Sequence, residues 1–152
     1  MKILKLTFLS CLIIAVFACS STEEETIPDN VIIDSEGLII DLEWSTGGSA
    51  TQATTDADLD LFLTNGTKDL KSSVGSSFEQ VDIEDIYSDG SYTITVEYYR
   101  GSKAVDYTLY LRGGSSSESI KYTGTFRSDD AGLSVTYLEI AKVGDRYTII
   151  DL

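Results

Sequence analysis

The chain has 152 residues, with 25 acidic against 11 basic side chains, a formal net charge of −14 and no histidine. The length suits one domain with a single hydrophobic core, and the strong negative charge argues against nucleic acid as a partner. Without histidine the chain lacks the usual general base, the histidine-dependent nucleophile systems and most zinc sites, so we do not expect an enzyme.

The first 18 residues have the pattern of an export signal. A basic start with Lys2 and Lys5 precedes a mostly apolar, uncharged stretch from Leu6 to Ala18, as in secretory signal peptides. An apolar stretch of about a dozen residues is too short to cross a hydrocarbon core about 30 Å thick, so no transmembrane anchor is expected.

The end of this signal, Val16-Phe17-Ala18-Cys19, resembles the lipobox of bacterial lipoproteins. In that family the signal is cut before the cysteine, whose thiol receives a diacylglycerol and whose amine is acylated. The resemblance implies that Cys19 is lipidated and anchors the protein in the outer membrane. An ordinary signal peptide with a chance cysteine is the alternative. Cys11 leaves with the signal, so no internal disulfide is expected and the domain must rely on its hydrophobic core.

Residues 19–36 are predicted to form the lipidated cysteine and an acidic tether. The first part is polar, contains Glu23-Glu24-Glu25 and the only proline, and offers too little apolar surface to order itself. The three glutamates resemble an acidic signal that sends some lipoproteins to the cell surface, and a solvated spacer explains them equally well. The predicted organisation is a signal peptide over 1–18, this tether over 19–36 and a β-sandwich over 37–152.

Short segments that alternate apolar and polar residues fill residues 37–152, with turn signals such as Asn65-Gly66 between them. This spacing predicts an all-β fold, a single jelly-roll-like antiparallel β-sandwich of about eight or nine strands. No run of a dozen residues carries helical periodicity, and residues 45–55 are predicted to be a loop. Changes of phase predict a bulge near Glu84-Asp85 and an irregular strand at Tyr137-Leu138.

The clearest strand pattern lies within residues 91–112, which are predicted to form the central hairpin of the sandwich around a turn at 100–103. Alternate residues of each arm share one apolar face: Tyr92, Ile94, Val96 and Tyr98 in the first, Val105, Tyr107, Leu109 and Leu111 in the second. We expect a common core that includes Trp44, Leu59, Leu61, Ile94, Val96, Leu109 and Leu111.

Several of these segments stand in an order that resembles the bacterial pre-peptidase C-terminal domain. They are, in chain order, Trp44, Asp58-Leu59-Asp60-Leu61-Phe62-Leu63, Glu84-Asp85-Ile86, Gly90 to Tyr99 and Tyr107 to Leu111. The resemblance covers roughly residues 37–112 and implies a sandwich that is not itself catalytic. Some relatives in that family bind calcium, collagen or polysaccharide. Residues 119–152 do not match it and are expected to add a hairpin to the sandwich.

Acidic residues at every second position suggest a cation site. Asp56, Asp58 and Asp60 would lie on one side of a strand, with neighbours about 6.6 Å apart, and Glu84 with Asp85 matches an acidic position of the resembled family. Calcium prefers about six to eight oxygen ligands. Asp58, Asp60 and Glu84 are therefore predicted to bind calcium, with Asp56 and Asp85 as further candidates. A solvated acidic face that discourages edge pairing is the alternative.

Nine tyrosines are present, and two of them, Tyr99 and Tyr110, fall opposite the predicted core. They are candidate contacts for a glycan or protein ligand, or simply cross-strand pairs on a solvated sheet. We predict a lipid-anchored, non-catalytic binding or accessory module of the cell envelope or cell surface. The alternatives are a structural subunit of an outer-membrane complex with no small ligand and a hydrolase built on a carboxylate pair.

Overall fold

The computed structural model describes residues 26–75 and 78–152. The predicted signal peptide, the lipidation site Cys19 and the three glutamates behind it lie outside the described residues. The described chain is an all-β sandwich of two antiparallel sheets with one short helix. The predicted fold class is confirmed, with ten strands where about eight or nine were expected.

The elements in chain order are β1 (Val31–Ile33), β2 (Leu38–Ser45), α1 (Ala50–Asp56), β3 (Ala57–Asn65), β4 (Lys68–Ser73), β5 (Glu79–Ile83), β6 (Gly90–Gly101), β7 (Val105–Gly113), β8 (Ile120–Phe126), β9 (Leu133–Val143) and β10 (Arg146–Asp151). One sheet has six strands in the order β1-β10-β9-β6-β3-β4, and the other has four in the order β5-β2-β7-β8. Most connections therefore cross from one sheet to the other.

The two arms of the hairpin predicted over residues 91–112 become β6 and β7, and that hairpin is wrong. β6 pairs with β3 and β9, whereas β7 pairs with β2 and β8. The predicted buried faces are nevertheless correct, since side chains alternate along a strand whatever the strand pairs with. Ile94 and Leu109 are each 0% exposed, and they enter the core from opposite sheets.

The segment between β6 and β7 has turn-like residues because it packs tightly, not because it closes a hairpin. The Tyr98 hydroxyl donates a hydrogen bond to the Lys103 carbonyl at 2.8 Å and accepts one from the Lys103 N–H at 3.3 Å. A Cβ atom at Gly101 would lie 2.2 Å from that hydroxyl and 2.7 Å from the Asp56 carbonyl. Only glycine leaves room for this connection.

The core lies between the sheets and consists of the inward side chains of both. Of the residues predicted for it, six are 0% exposed: Leu59, Leu61, Ile94, Val96, Leu109 and Leu111. The seventh, Trp44, is only half-buried near the end of β2, where it packs against the margin of the core.

The predicted irregularity at Tyr137-Leu138 is confirmed as a β-bulge. Leu138 pairs with Ile94 and Thr136 pairs with Thr95, so Tyr137 is the extra residue. No such bulge occurs at Glu84-Asp85, because β5 has already ended.

Residues 45–55, predicted to be a loop, contain most of α1. The Ser49 hydroxyl caps this helix by accepting the Gln52 N–H at 3.3 Å. The helix has seven residues, and Ala53 alone is buried. A single small apolar contact produces no periodic pattern, which is why the sequence did not reveal the helix.

The sandwich begins before the predicted boundary at residue 37. β1 pairs with β10 along its whole length. Asp34 is buried and accepts hydrogen bonds from the Ser115 hydroxyl at 2.5 Å and from the backbone N–H of Glu36 at 2.8 Å. The bond from Ser115 is the main cause that lowers the pKa of Asp34. Residues 31–36 therefore belong to the domain and not to the tether.

Candidate functional site

A groove of about 490 Å³ lies on the outer face of the four-stranded sheet. Its lining residues come from the three neighbouring strands β2, β7 and β8, and most of them occupy the outward positions of these strands: Glu43, Trp44, Ser45, Asp106, Tyr107, Thr108, Tyr110, Thr123, Gly124 and Thr125. Alternation places seven of them outward, because Leu42, Leu109 and their in-phase neighbours point into the core. The other three, Trp44, Tyr107 and Gly124, are in the inward phase.

The depression exists because small side chains occupy the middle of this face. Thr108 lies opposite Thr123, and Gly124 lies opposite Tyr107. A Cβ atom at Gly124 would lie 2.3 Å from Cζ of the Tyr107 ring, so glycine is required for this ring to pack beneath β8. The ring is buried and stacks on Phe126 with centroids 5.2 Å apart, and this burial raises the pKa of Tyr107 to about 12.

Tyr110, which the sequence predicts as a binding residue, lines the groove and forms its aromatic wall. Its ring lies beneath the Lys121 ammonium, 5.2 Å from the ring centroid, a distance at which cation and ring attract one another. On the other side of Tyr110, Asp41 accepts a hydrogen bond from Gln80 at 2.6 Å and one from Arg112 at 3.4 Å. These contacts fix the positions of Asp41, Arg112 and Lys121 around Tyr110.

Two carboxylates, Glu43 and Asp106, line the other part of the groove. Glu43 is opposite Thr108 and Asp106 is opposite Ser45, so the two acids are diagonal neighbours whose Cα atoms are about 7–8 Å apart. Both are exposed. The Thr125 hydroxyl donates to Asp106 at 2.8 Å. The groove therefore combines hydroxyl groups, carboxylate acceptors and an aromatic wall.

Tyr99, the other predicted binding residue, does not join this site. It is 56% exposed on the outer face of the six-stranded sheet, with the Arg100 guanidinium 6.0 Å from its ring centroid. Tyr99 and Tyr110 thus lie on opposite faces of the sandwich, and they cannot contact one small ligand together. The sequence placed both opposite the core, but only strand pairing assigns them to different sheets.

Asp58 and Asp60 lie on β3, on the outer face of the six-stranded sheet, and both are largely buried. Asp58 forms an ion pair with Arg100 at 3.3 Å. Asp60 is 6% exposed, and one of its oxygens is enclosed without a hydrogen-bond partner. Burial is the main cause that raises the pKa of Asp60, and the charges of Asp58, Glu79 and Glu97 add to the effect.

Glu84 follows β5 and belongs to a different cluster. It accepts a hydrogen bond from the Lys71 ammonium at 2.6 Å, and Asp82 accepts another at 2.8 Å. Burial alone would lower the pKa of Lys71, but the bonds to these two carboxylates outweigh it and raise the pKa. The same bond from Lys71 lowers the pKa of Glu84. Lys71 therefore ties β4 of one sheet to β5 of the other.

The predicted calcium ligands do not converge. Within residues 26–75 and 78–152, no three His, Cys, Asp or Glu side chains form a group that could hold a metal ion. Asp56 contacts the Thr46 hydroxyl at the end of α1, and Asp85 is exposed after β5. The structure does not bring Asp58, Asp60 and Glu84 together as the predicted calcium site requires. Glu84 pairs with Lys71, and Asp58 pairs with Arg100.

Sequence reasoning missed Glu43, Asp106 and the threonines of the groove. Each is the polar member of an alternating strand, which is also the pattern of any solvated sheet face. Their common location follows from the pairing of β2 with β7 and of β7 with β8, and the incorrect hairpin had paired β7 with β6 instead.

Comparisons of the chain with protein-family models, with curated proteins and with solved structures found no match. Among the described residues, no helix is long and apolar enough to cross a membrane.

Proposed function

We propose that this protein is a lipid-anchored module of the bacterial outer membrane that binds a glycan without catalysing a reaction. The observation that carries the proposal is the groove on the four-stranded sheet. Hydroxyls and carboxylates on its floor exchange hydrogen bonds with sugar hydroxyls, and the Tyr110 wall offers an apolar surface to a sugar ring. The lipobox resemblance at Cys19 and the acidic segment behind it support attachment to the membrane and display at the cell surface.

The resemblance of residues 37–112 to the pre-peptidase C-terminal domain agrees with a non-catalytic role, since that domain is not itself an enzyme and some of its relatives bind polysaccharide. Fold alone does not assign function. The argument therefore rests on the chemistry of the groove, whose aromatic wall and small hydroxyl side chains suit a saccharide better than a purely apolar ligand.

The test is binding of the full chain, purified in detergent, to an immobilised panel of neutral, acidic and amine-bearing glycans. We expect at least one glycan to bind, and Tyr110→Ala to weaken that binding by about two- to tenfold, since an aromatic contact contributes about 0.5–1.5 kcal/mol. Tyr99→Ala is the matched control, because it removes the same type of side chain from the opposite sheet, where that side chain is exposed. Absence of binding to every glycan would refute the proposal.

A structural subunit of an outer-membrane complex is the second candidate, and the six-stranded sheet favours it. Ile33 and Val143 lie in one row, both opposite Arg146, and they are 52% and 66% exposed. Apolar side chains exposed on one face contribute to a protein contact when a partner covers them together, here with Arg146 between them. Crosslinking in intact cells followed by purification of the full chain would recover one fixed membrane protein if this candidate is correct, and no constant partner if it is not.

A further inference from the structure

The negative charge in the groove is localised. Glu43 and Asp106 are diagonal neighbours on adjacent strands and point to the same side of the sheet. No ion pair within the described residues includes either of them. Asp41, the next acid along β2, is already matched by Arg112. The two groove carboxylates are thus acidic groups of this face that no ion pair of the described residues compensates.

Within β2, β7 and β8, positive charge on the same face is separated from these carboxylates, and Arg127, which directly follows β8, is exposed and forms no ion pair within the described residues. Arg112 is engaged with Asp41, and the Lys121 ammonium sits over the Tyr110 ring. Along β7, Asp106 and Thr108 precede Tyr110, and Arg112 follows it. Within these three strands, the groove is therefore acidic on one side of the aromatic wall and basic on the other, and the acidic side carries the hydroxyl-lined depression.

A cationic group on the ligand would satisfy this arrangement. Two nearby carboxylates repel one another unless a positive charge lies between them. A protonated amine supplies that charge and up to three N–H donors, and hydrogen bonds between charged partners are roughly twice as strong as neutral ones. The net charge of −14 adds attraction at longer range.

We infer that the groove selects saccharides that carry a protonated amino group, with the amine held between Glu43 and Asp106. The threonine hydroxyls bind the neighbouring sugar hydroxyls, and a sugar ring packs against Tyr110. This inference rests on the proposed glycan-binding function and deepens it, because it names the class of glycan. It also predicts that acidic saccharides bind poorly, since their carboxylates would face Glu43 and Asp106.

The experiment is isothermal titration of the full chain in detergent at mildly acidic pH with two matched ligands. One is a β-1,4-linked tetramer of glucosamine and the other is its N-acetylated counterpart, which has the same ring and linkage without the charge. We expect the amine tetramer to bind at least about tenfold more tightly, since a hydrogen bond to a charged group contributes about 1.5–3 kcal/mol. Added salt should reduce this preference.

Variants of the two carboxylates test whether these groups cause the preference for the amine tetramer. Glu43→Gln and Asp106→Asn should each reduce the preference for the amine tetramer over its N-acetylated counterpart several-fold, because each removes a negative charge from beside the amine. Asp129→Asn is the matched control, because it removes an exposed carboxylate of the loop after β8 that does not line the groove. A preference that persists in both groove variants would contradict the assignment.

The possible failures are distinguishable. Equal or tighter binding of the N-acetylated tetramer overturns the inference and leaves the glycan-binding proposal standing. Tight binding of spermine, a polyamine without a sugar, at the level of the amine tetramer also overturns it, because charge alone would then explain the affinity. Failure of both tetramers and of the whole glycan panel overturns the proposed function together with the inference.

Discussion

Leu109→Ala is the substitution that most directly tests the packing of the sandwich. Leu109 is 0% exposed in the middle of β7 and pairs with Leu42 on one side and Tyr122 on the other. The change removes three carbon atoms, which at about 0.8 kcal/mol each amount to about 2.4 kcal/mol of lost burial. The cavity left behind raises the expected loss of unfolding free energy to about 3–4 kcal/mol.

Urea unfolding followed by tryptophan fluorescence measures this loss, since the single tryptophan, Trp44, packs against the margin of the core. With a slope of about 2 kcal/mol per molar urea, the midpoint should fall by about 1.5–2 M. Ile94→Ala, from the facing sheet, should behave similarly.

The control for both substitutions is Thr95→Ala. Thr95 follows Ile94 but points outward, where its hydroxyl lies 3.4 Å from that of Thr136. Thr95→Ala should lower the free energy of unfolding by less than about 1 kcal/mol, which is the full range of intrinsic strand propensities. Equal losses in Thr95→Ala and Ile94→Ala would refute the assignment of inward and outward faces.

Three further outcomes are expected. Asp60→Asn should raise the melting temperature at neutral pH and leave it unchanged in strong acid. Burial raises the pKa of Asp60 in the folded protein above its ordinary value. The stability of the wild-type protein therefore falls as the pH rises from the ordinary to the folded pKa of Asp60, and asparagine avoids this loss. A stabilisation that is equal at all pH values would contradict this reason. Lys71→Met should lower the free energy of unfolding by about 1 kcal/mol, because the two ion pairs of Lys71 are partly exposed. Lys68→Met removes a nearby lysine that forms no ion pair within the described residues, and it should lower the free energy of unfolding by less in the same melting experiment. Cys19→Ser should release the protein from the membrane fraction or leave the signal uncut, since acyl chains supply the membrane affinity; normal processing with retention in the membrane would contradict the lipid anchor.

The inward and outward faces of the strands were predictable from the sequence because they depend only on local alternation. Ile94 and Leu109 could be assigned to the core without knowing which strands pair. The same holds for the bulge at Tyr137, since an extra residue leaves a visible change of phase.

Strand pairing was less predictable, and the site depends on it. Arg100 to Lys103 has the composition of a hairpin turn, yet the segment carries the chain from one sheet to the other. This pairing error would have placed Tyr99 and Tyr110 in one sheet and left Asp106 without its neighbours Glu43 and Thr125. The spacing of acids in β3 likewise says nothing about the distant Lys71 and Arg100, which hold Glu84 and Asp58 apart.

The most direct test of the central claim, that the groove of the four-stranded sheet is a glycan site, is a map of backbone amide shifts in the full chain. The glucosamine tetramer and its N-acetylated form would be titrated separately into isotope-labelled protein in detergent. The account predicts that the tetramer that binds shifts the amides of Thr108, Thr123 and Thr125 and leaves those of Thr93 and Thr95 on the opposite sheet in place. Shifts confined to the six-stranded sheet would contradict the claim, and so would the absence of shifts with both tetramers and with every glycan of the panel.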